Sequence, residues 1–321
     1  MAAKRLKYLS LGASAALVAG LAACSEGDPG QEEPGEGGGG EIETVGLMVQ
    51  DLSNPFFGAM EDALVAAAEP QGIEVNVQDG QQDLNTQNNQ IDTFIQQQVD
   101  AILINAVDSE GIGPAVQRAT DAGIIVVAVD VAAEGAQATV TLDNTAAGEE
   151  ACTFLFEEMG GSGDILVVDG TPITSVQDRM SGCETVMEEY PDINVVGHQN
   201  GDNGRQEALS LTQDMLTANS DIDGIFAIND PSALGATLAA EQAGYTDLVI
   251  VGVDGSPEAV EALEDSDSMF TGTAKQDPGA QVERGLEMAQ QIAAGEELEE
   301  DYVEIPTEML TRDNLADYEG W

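Results

Sequence analysis

Thr44-Val-Gly-Leu-Met-Val-Gln-Asp-Leu-Ser-Asn-Pro-Phe-Phe57 is the stretch that decides the fold. Val45, Leu47 and Val49 alternate with Gly46, Met48 and Gln50, and nearly all of these are apolar. A strand apolar on both faces belongs inside a parallel sheet. Asn54 then suits a helix N-cap, and Pro55 suits the first helical position, where its missing N–H costs nothing. Phe57, Met60, Leu64 and Ala67 continue along one helical face. A buried strand therefore runs through a short polar loop into a helix. In open α/β sheets, ligands bind at this edge, outside the carboxyl ends of the strands. Asn54 can serve there as a cap or as a ligand contact, and the stretch alone leaves both open.

The same unit recurs along the chain. Strand patterns lie at 45–50, 74–78, 101–105, 124–130, 139–142, 164–169, 194–199, 224–229, 248–254, 269–274 and 303–305. Helix-length stretches separate many of them, at 55–69, 85–97, 113–122, 146–159, 176–189, 205–218, 232–243, 257–263 and 279–294. Such alternation implies parallel sheets with crossover helices. There are too many units for one small domain, and two doubly wound α/β domains fit them. Several strands also end alike, in Asn105, Asp130, Asn229 and Asp254. Any one of these is a plausible loop or cap residue. Four, together with Asn54, place amides and carboxylates along one edge of each sheet.

Composition narrows the function. The chain has 321 residues, with 9 Lys+Arg against 60 Asp+Glu and a formal charge of -51. Hydrophobic residues make up 42%, enough to build a core, so this is not a disordered acidic chain. A surface this negative repels nucleic acid and anionic lipid headgroups. Its scattered acids resemble those of salt-adapted or alkali-adapted proteins.

The first residues read as an address. Lys4-Arg5-Leu6-Lys7 is a basic segment, residues 9–21 are apolar and uncharged, and Leu21-Ala-Ala-Cys24 follows. This is a secretory signal peptide over 1–23, too short to span a membrane. Its ending resembles a bacterial lipobox, which implies a lipid anchor at Cys24 on the outer face of the cell membrane. Residues 24–42 are rich in Gly, Glu and Pro and read as a flexible tether.

Asn54-Pro-Phe-Phe57, Ile102-Leu-Ile-Asn105, Val129-Asp130, Phe226-Ala-Ile-Asn-Asp-Pro-Ser-Ala-Leu-Gly235 and Val251-Gly-Val-Asp-Gly-Ser-Pro257 together resemble a known family. It is the periplasmic sugar-binding proteins of ABC importers, the ribose-binding-protein-like group, and the resemblance spans about residues 44–311. It implies two Rossmann-like doubly wound domains joined by a three-segment hinge, with a sugar held in the cleft. It places the N-terminal lobe at 43–144 plus 276–303 and the C-terminal lobe at 145–275 plus 304–321, with crossings near 143–145, 275–276 and 304–306. It implies ligand contacts from Asn54, Phe56, Phe57, Asn105, Asp130, Asn229, Asp254 and the hinge residue Gln276, with Gln50 at the rim. It also implies partners: an ABC permease and its ATPase, with the chain itself a monomer.

The sequence departs from the ribose-binding pattern at three points. Val131 stands where an Arg follows the strand-end Asp. Gln177 stands for a sugar-contacting Arg, although Arg179 is kept. Asn203 stands for an aromatic residue in the loop before Arg205. Gln177, Arg179 and Asn203 stay among the expected ligand contacts, and the less cationic pocket suits a neutral monosaccharide or polyol. Hydroxyls donate and accept at once, so fixed carboxylates and amides pair with them in a fork. Charged acceptors make the stronger bonds, so Asp130 and Asp254 should dominate orientation. Periodicity makes Phe57 the more inward of the two phenylalanines. Arg179, Arg205 and Lys275 fall near cleft or hinge motifs; each could meet ligand or serve as a structural ion pair, and for Arg205 the ion pair is expected.

Cys152 and Cys183 lie on two successive helices, and in an oxidising compartment they could form a disulfide or remain buried thiols. Little favours an enzyme. His198 is the sole histidine, and nothing places a nucleophile beside it. Neither a metal site nor a cofactor is expected. Gly160-Gly-Ser-Gly163 precedes a strand and reads as a turn, not a dinucleotide loop. One alternative keeps the receptor and changes its output: a sugar or autoinducer sensor that signals to a membrane kinase.

Overall fold

The computed structural model describes residues 40–318 together with 320 and 321. The signal sequence, Cys24 and nearly all of the tether lie outside the described residues. Two six-stranded sheets carry the fold. The first begins with β1 (Thr44–Val49), α1 (Pro55–Ala68), β2 (Glu74–Asp79), α2 (Leu84–Gln97) and β3 (Ala101–Ile104). It continues through α3 (Gly113–Asp121), β4 (Ile125–Val129) and β5 (Ala138–Leu142). The chain then enters the second sheet through α4 (Asn144–Glu158), β6 (Ser162–Asp169), α5 (Thr174–Met187), β7 (Asp192–Asn200) and α6 (Arg205–Ala218). There follow β8 (Gly224–Ala227), α7 (Asp230–Ala243), β9 (Val249–Asp254), α8 (Pro257–Glu264) and β10 (Phe270–Lys275). It returns as α9 (Pro278–Ala293) and β11 (Tyr302–Ile305), then crosses once more to β12 (Met309–Thr311).

The strand orders are β11-β5-β4-β3-β1-β2 and β12-β10-β9-β8-β6-β7. All pairings are parallel except β12 against β10. The central strands are buried on both faces, which is why β1, β3 and β8 read as apolar runs without polar alternation. Helix α9 packs on the first sheet: Val282, Leu286 and Ala289 join Val45, Leu103 and Val127 in one core.

The expected lobe boundary between residues 303 and 304 needs correction. It falls inside β11, whose four residues all pair with β5, so the last crossing follows Ile305. Strand β12 was not anticipated; three residues are too few to show periodicity.

The described lobes touch. The Ala132 N–H donates to Thr174 Oγ1 at 3.1 Å, and the Thr174 N–H donates to Ser109 Oγ at 3.2 Å. Helices α4 and α5 pack so tightly that a Cβ on Gly148 would collide with the Arg179 carbonyl, and one on Gly182 with the Thr145 carbonyl. Cys152 and Cys183 form a disulfide across this helix pair, their Cα atoms 5.2 Å apart. Among the described residues no helix is long and apolar enough to cross a membrane.

Candidate functional site

Strand ends from both sheets meet at one cavity. From the first sheet come Gln50 just past β1, Asn54, Phe56 and Phe57 at the start of α1, and Asp130 just past β4. Arg179 on α5, Asn203, Asn229 and Asp254 face them from the second, and Gln276 comes from the crossing. The cavity volume is about 40 Å³, room for about three waters on the scale of ~10–15 Å³ each.

Asn54 is both cap and wall. Its Oδ1 accepts from the Phe56 N–H at 3.0 Å, and the residue also lines the cavity. Phe56 and Phe57 are both buried, and their rings meet edge to face with centroids 5.4 Å apart. The expectation that Phe57 turns further inward is corrected: the helix start faces the second lobe, so both rings are covered. Gln50 donates to the Ala106 carbonyl at 3.0 Å.

Asp130 holds a left-handed backbone, φ 65°, a conformation that costs about 1–2 kcal/mol for a residue with a Cβ. Its N–H donates to the Val140 carbonyl, and its own carbonyl accepts from Thr141 Oγ1 at 2.7 Å. The turn aims its carboxylate into the cavity. Asn105, fully buried behind it, donates from Nδ2 to Asp130 Oδ2 at 2.7 Å. Asn105 thus supports the wall without lining it.

On the facing side, Asn229 is consumed by structure. Its Oδ1 accepts from the Ser232 N–H at 2.9 Å, capping α7, and its Nδ2 donates to the Asn203 carbonyl at 3.1 Å. Asn203 in turn donates to Thr171 Oγ1 at 2.8 Å. Asp254, at φ 142°, accepts from Gln276 Nε2 at 2.7 Å, and Arg179 Nη1 stands 3.8 Å from the same oxygen. Arg179 is anchored through Nε to Asn144 Oδ1 at 2.8 Å and through Nη1 to the Ile228 carbonyl at 2.9 Å. The α4–α5 packing fixes its backbone.

Gln177 does not belong to the site. It is exposed and donates to the Pro172 carbonyl, because two positions along a helix from Arg179 is the opposite face. Its substitution leaves the cavity's guanidinium untouched. Arg205 pairs with Glu258, and Lys275 with Glu308, as exposed ion pairs outside the cavity. Gln82, Ile173, Ser175 and Val176 line the cavity and were not anticipated. Gln82 lies three residues past the end of β2, so the strand-end rule, which picks the residue next to the strand, does not reach it.

The electrostatics are one-sided. Asp130, Asp230 and Asp254 are all buried, against one guanidinium. Desolvation pushes the Asp130 carboxyl above its ordinary range, opposed by Arg179 and by the Asn105 hydrogen bond. Desolvation also raises Asp254, again opposed first by Arg179. Asp230 is raised by burial and then by the charge of Asp254. Asp130 Oδ1 and Asn105 Oδ1 are buried acceptors with no hydrogen-bond donor. Such a site rejects anions and demands donors.

Comparison with known proteins agrees with this geometry. A periplasmic binding protein domain model matches residues 45–297. The ribose import binding protein RbsB of Bacillus subtilis (strain 168) is 32% identical over 282 residues, 87% of this chain and 91% of that protein. A xylitol-binding protein of Mycolicibacterium smegmatis is 30% identical over 313 residues, 96% of this chain and 86% of that one. A crystal structure of an ABC transporter solute binding protein from Mycobacterium smegmatis with bound glycerol superposes with a TM-score of 0.82 at 32% identity, covering 88% of this chain and 98% of that one.

Proposed function

From the premise that the chain belongs to the periplasmic binding protein family, whose members bind solutes and are not enzymes, we propose that it captures a neutral monosaccharide or polyol in the cleft between its lobes. The observation that carries this is the buried, donorless Oδ1 of Asp130 on the cavity wall, its carboxylate held in place by Asn105 behind it. Hydroxyl groups satisfy such an acceptor without bringing negative charge. Phe56 and Phe57 offer apolar faces to the C–H surface of a sugar ring. The relatives named for ribose and xylitol and the neighbour holding glycerol support the same ligand class. Val131 and Asn203, where ribose binders carry an Arg and an aromatic residue, favour a ligand other than ribose.

The ligand first meets one lobe and then bridges both. The closed state gains because only there are the contacts from Asp130 and from Asp254 made together. The first lobe comprises β1–β5, α1–α3, α9 and β11, and the second comprises the remaining elements. Closure creates the surface that an ABC permease reads, and a lipid on Cys24 keeps the monomer at the outer face of the membrane.

A thermal-shift screen over pentoses, hexoses, polyols, inositols and autoinducer-like furanoses tests the reading. A rise in midpoint with one or a few neutral polyhydroxyl compounds is expected. If every sugar fails and an amino acid or nucleoside stabilises instead, the ligand class is wrong and the fold stands.

A further inference from the structure

The chain beyond β12 returns to the cleft. Arg312 fastens it to the second lobe, donating through Nε to the Leu263 carbonyl and through Nη2 to the carbonyls of Asp265, Ser268 and Phe270. Two aromatic side chains then reach the turn that follows β9. Tyr318 donates its hydroxyl to the Gly255 carbonyl at 2.9 Å. Trp321 donates Nε1–H to the Asp254 carbonyl at 3.1 Å. The turn needs this support. Asp254 and Gly255 both have positive φ, 142° and 74°, and the first is a conformation that a side chain rarely adopts. The Asp254 carbonyl also accepts from the Gln276 N–H, and the Gly255 N–H donates to Thr273 Oγ1.

Trp321 does one thing more. Its ring meets Phe56 edge to face at 5.8 Å, and it packs with the core of the first lobe. One indole thus contacts the carboxylate-bearing turn of one lobe and the aromatic wall of the other. It does not line the cavity.

We propose that Trp321 is a positioning residue for the cleft: its N–H holds the Asp254 turn, its ring braces Phe56, and ligand affinity depends on it although it never touches ligand. Opening the lobes must break one of these contacts, so the indole also favours closure. The inference rests on reading the cleft as the sugar site.

The test is calorimetric titration of wild type, Trp321→Phe and Trp321→Ala with D-ribose, xylitol and myo-inositol, each with a urea midpoint. For every probe that binds wild type, Trp321→Ala should weaken binding about tenfold, losing a hydrogen bond and an aromatic pair. Trp321→Phe keeps a ring and loses the donor, and should weaken it about threefold. Unchanged affinity in both variants, whether or not the urea midpoint moves, overturns the proposal. A second arm needs no sugar. Trp321 is the one tryptophan, so Phe56→Ala should move its emission to longer wavelength and raise its quenching by acrylamide. An unmoved emission overturns the bridge. Failure of all three probes on wild type counts against the sugar reading, while the emission arm still decides the bridge.

Discussion

Asn105 donates from Nδ2 to Asp130 Oδ2 at 2.7 Å, and both Asp130 Oδ1 and Asn105 Oδ1 are buried without a donor. The hydrogen bond holds the carboxylate in place against the cavity. Leaving a buried acceptor unpaired costs about 1–3 kcal/mol. A ligand hydroxyl donating to Asp130 Oδ1 recovers that cost, which couples binding to this wall of the cavity.

Asp130→Asn should separate binding from folding. It keeps the shape and removes a charge that burial disfavours. Sugar affinity should fall at least about tenfold, since hydrogen bonds to charged groups contribute about 1.5–3 kcal/mol. The urea midpoint of the ligand-free protein should hold or rise. Calorimetry beside urea denaturation reads both.

Arg179→Met should do the reverse. The guanidinium is buried and, among the described residues, is the one cation beside Asp254 and Asp130. Removing it strands carboxylates that it now compensates and leaves Asn144 Oδ1 and the Ile228 carbonyl without their donor. A loss of about 3–5 kcal/mol is expected from breaking a buried ion pair on one side. Urea denaturation of the ligand-free variant measures it.

Stability should fall as pH rises from mild acid. Burial holds the carboxyls of Asp130, Asp230 and Asp254 above the ordinary carboxylate range in the native state. Above pH ~4 the unfolded chain has released protons that the native state retains, so the native state binds more and ∂ΔG/∂pH is negative. The contribution is complete below the unfolded pKa and is lost as pH passes through the raised native values. Repulsion within a chain of formal charge -51 acts in the same direction. Asp230→Asn isolates the buried part: its midpoint should change less between pH 5 and pH 8 than that of wild type.

Reduction should loosen the second lobe. The Cys152–Cys183 bridge closes a loop with a sequence separation of 31, which in the chain-entropy model stabilises by about 3–4 kcal/mol. Cys152→Ser/Cys183→Ser should lower the urea midpoint accordingly. Because the bridge ties α4 to the helix that carries Arg179, sugar affinity should fall as well.

The part of the site that could be read from sequence is the part built locally. An apolar strand followed by Asn or Asp is a pattern of a few residues, and Asn54, Asp130, Asn229 and Asp254, all read in that way, line one cavity. Helical phase was harder. Gln177 and Arg179 stand two positions apart, and only the packing of α5 on α4 shows that Arg179 faces inward. Phe56 was underrated because one-face periodicity describes a helix against its own sheet, whereas the start of α1 meets a second lobe as well. Trp321 was invisible for a different reason. Its partners, Phe56 and Asp254, lie far away in sequence, and no local pattern announces a contact of that kind.

The most direct measurement is calorimetric titration of wild type and Asp254→Ala with the sugar or polyol that gives the largest thermal shift. The account predicts one site per chain in wild type and no detectable binding in Asp254→Ala, whose circular dichroism stays native. Binding to Asp254→Ala with wild-type affinity would contradict the claim that this cleft is where the ligand is held.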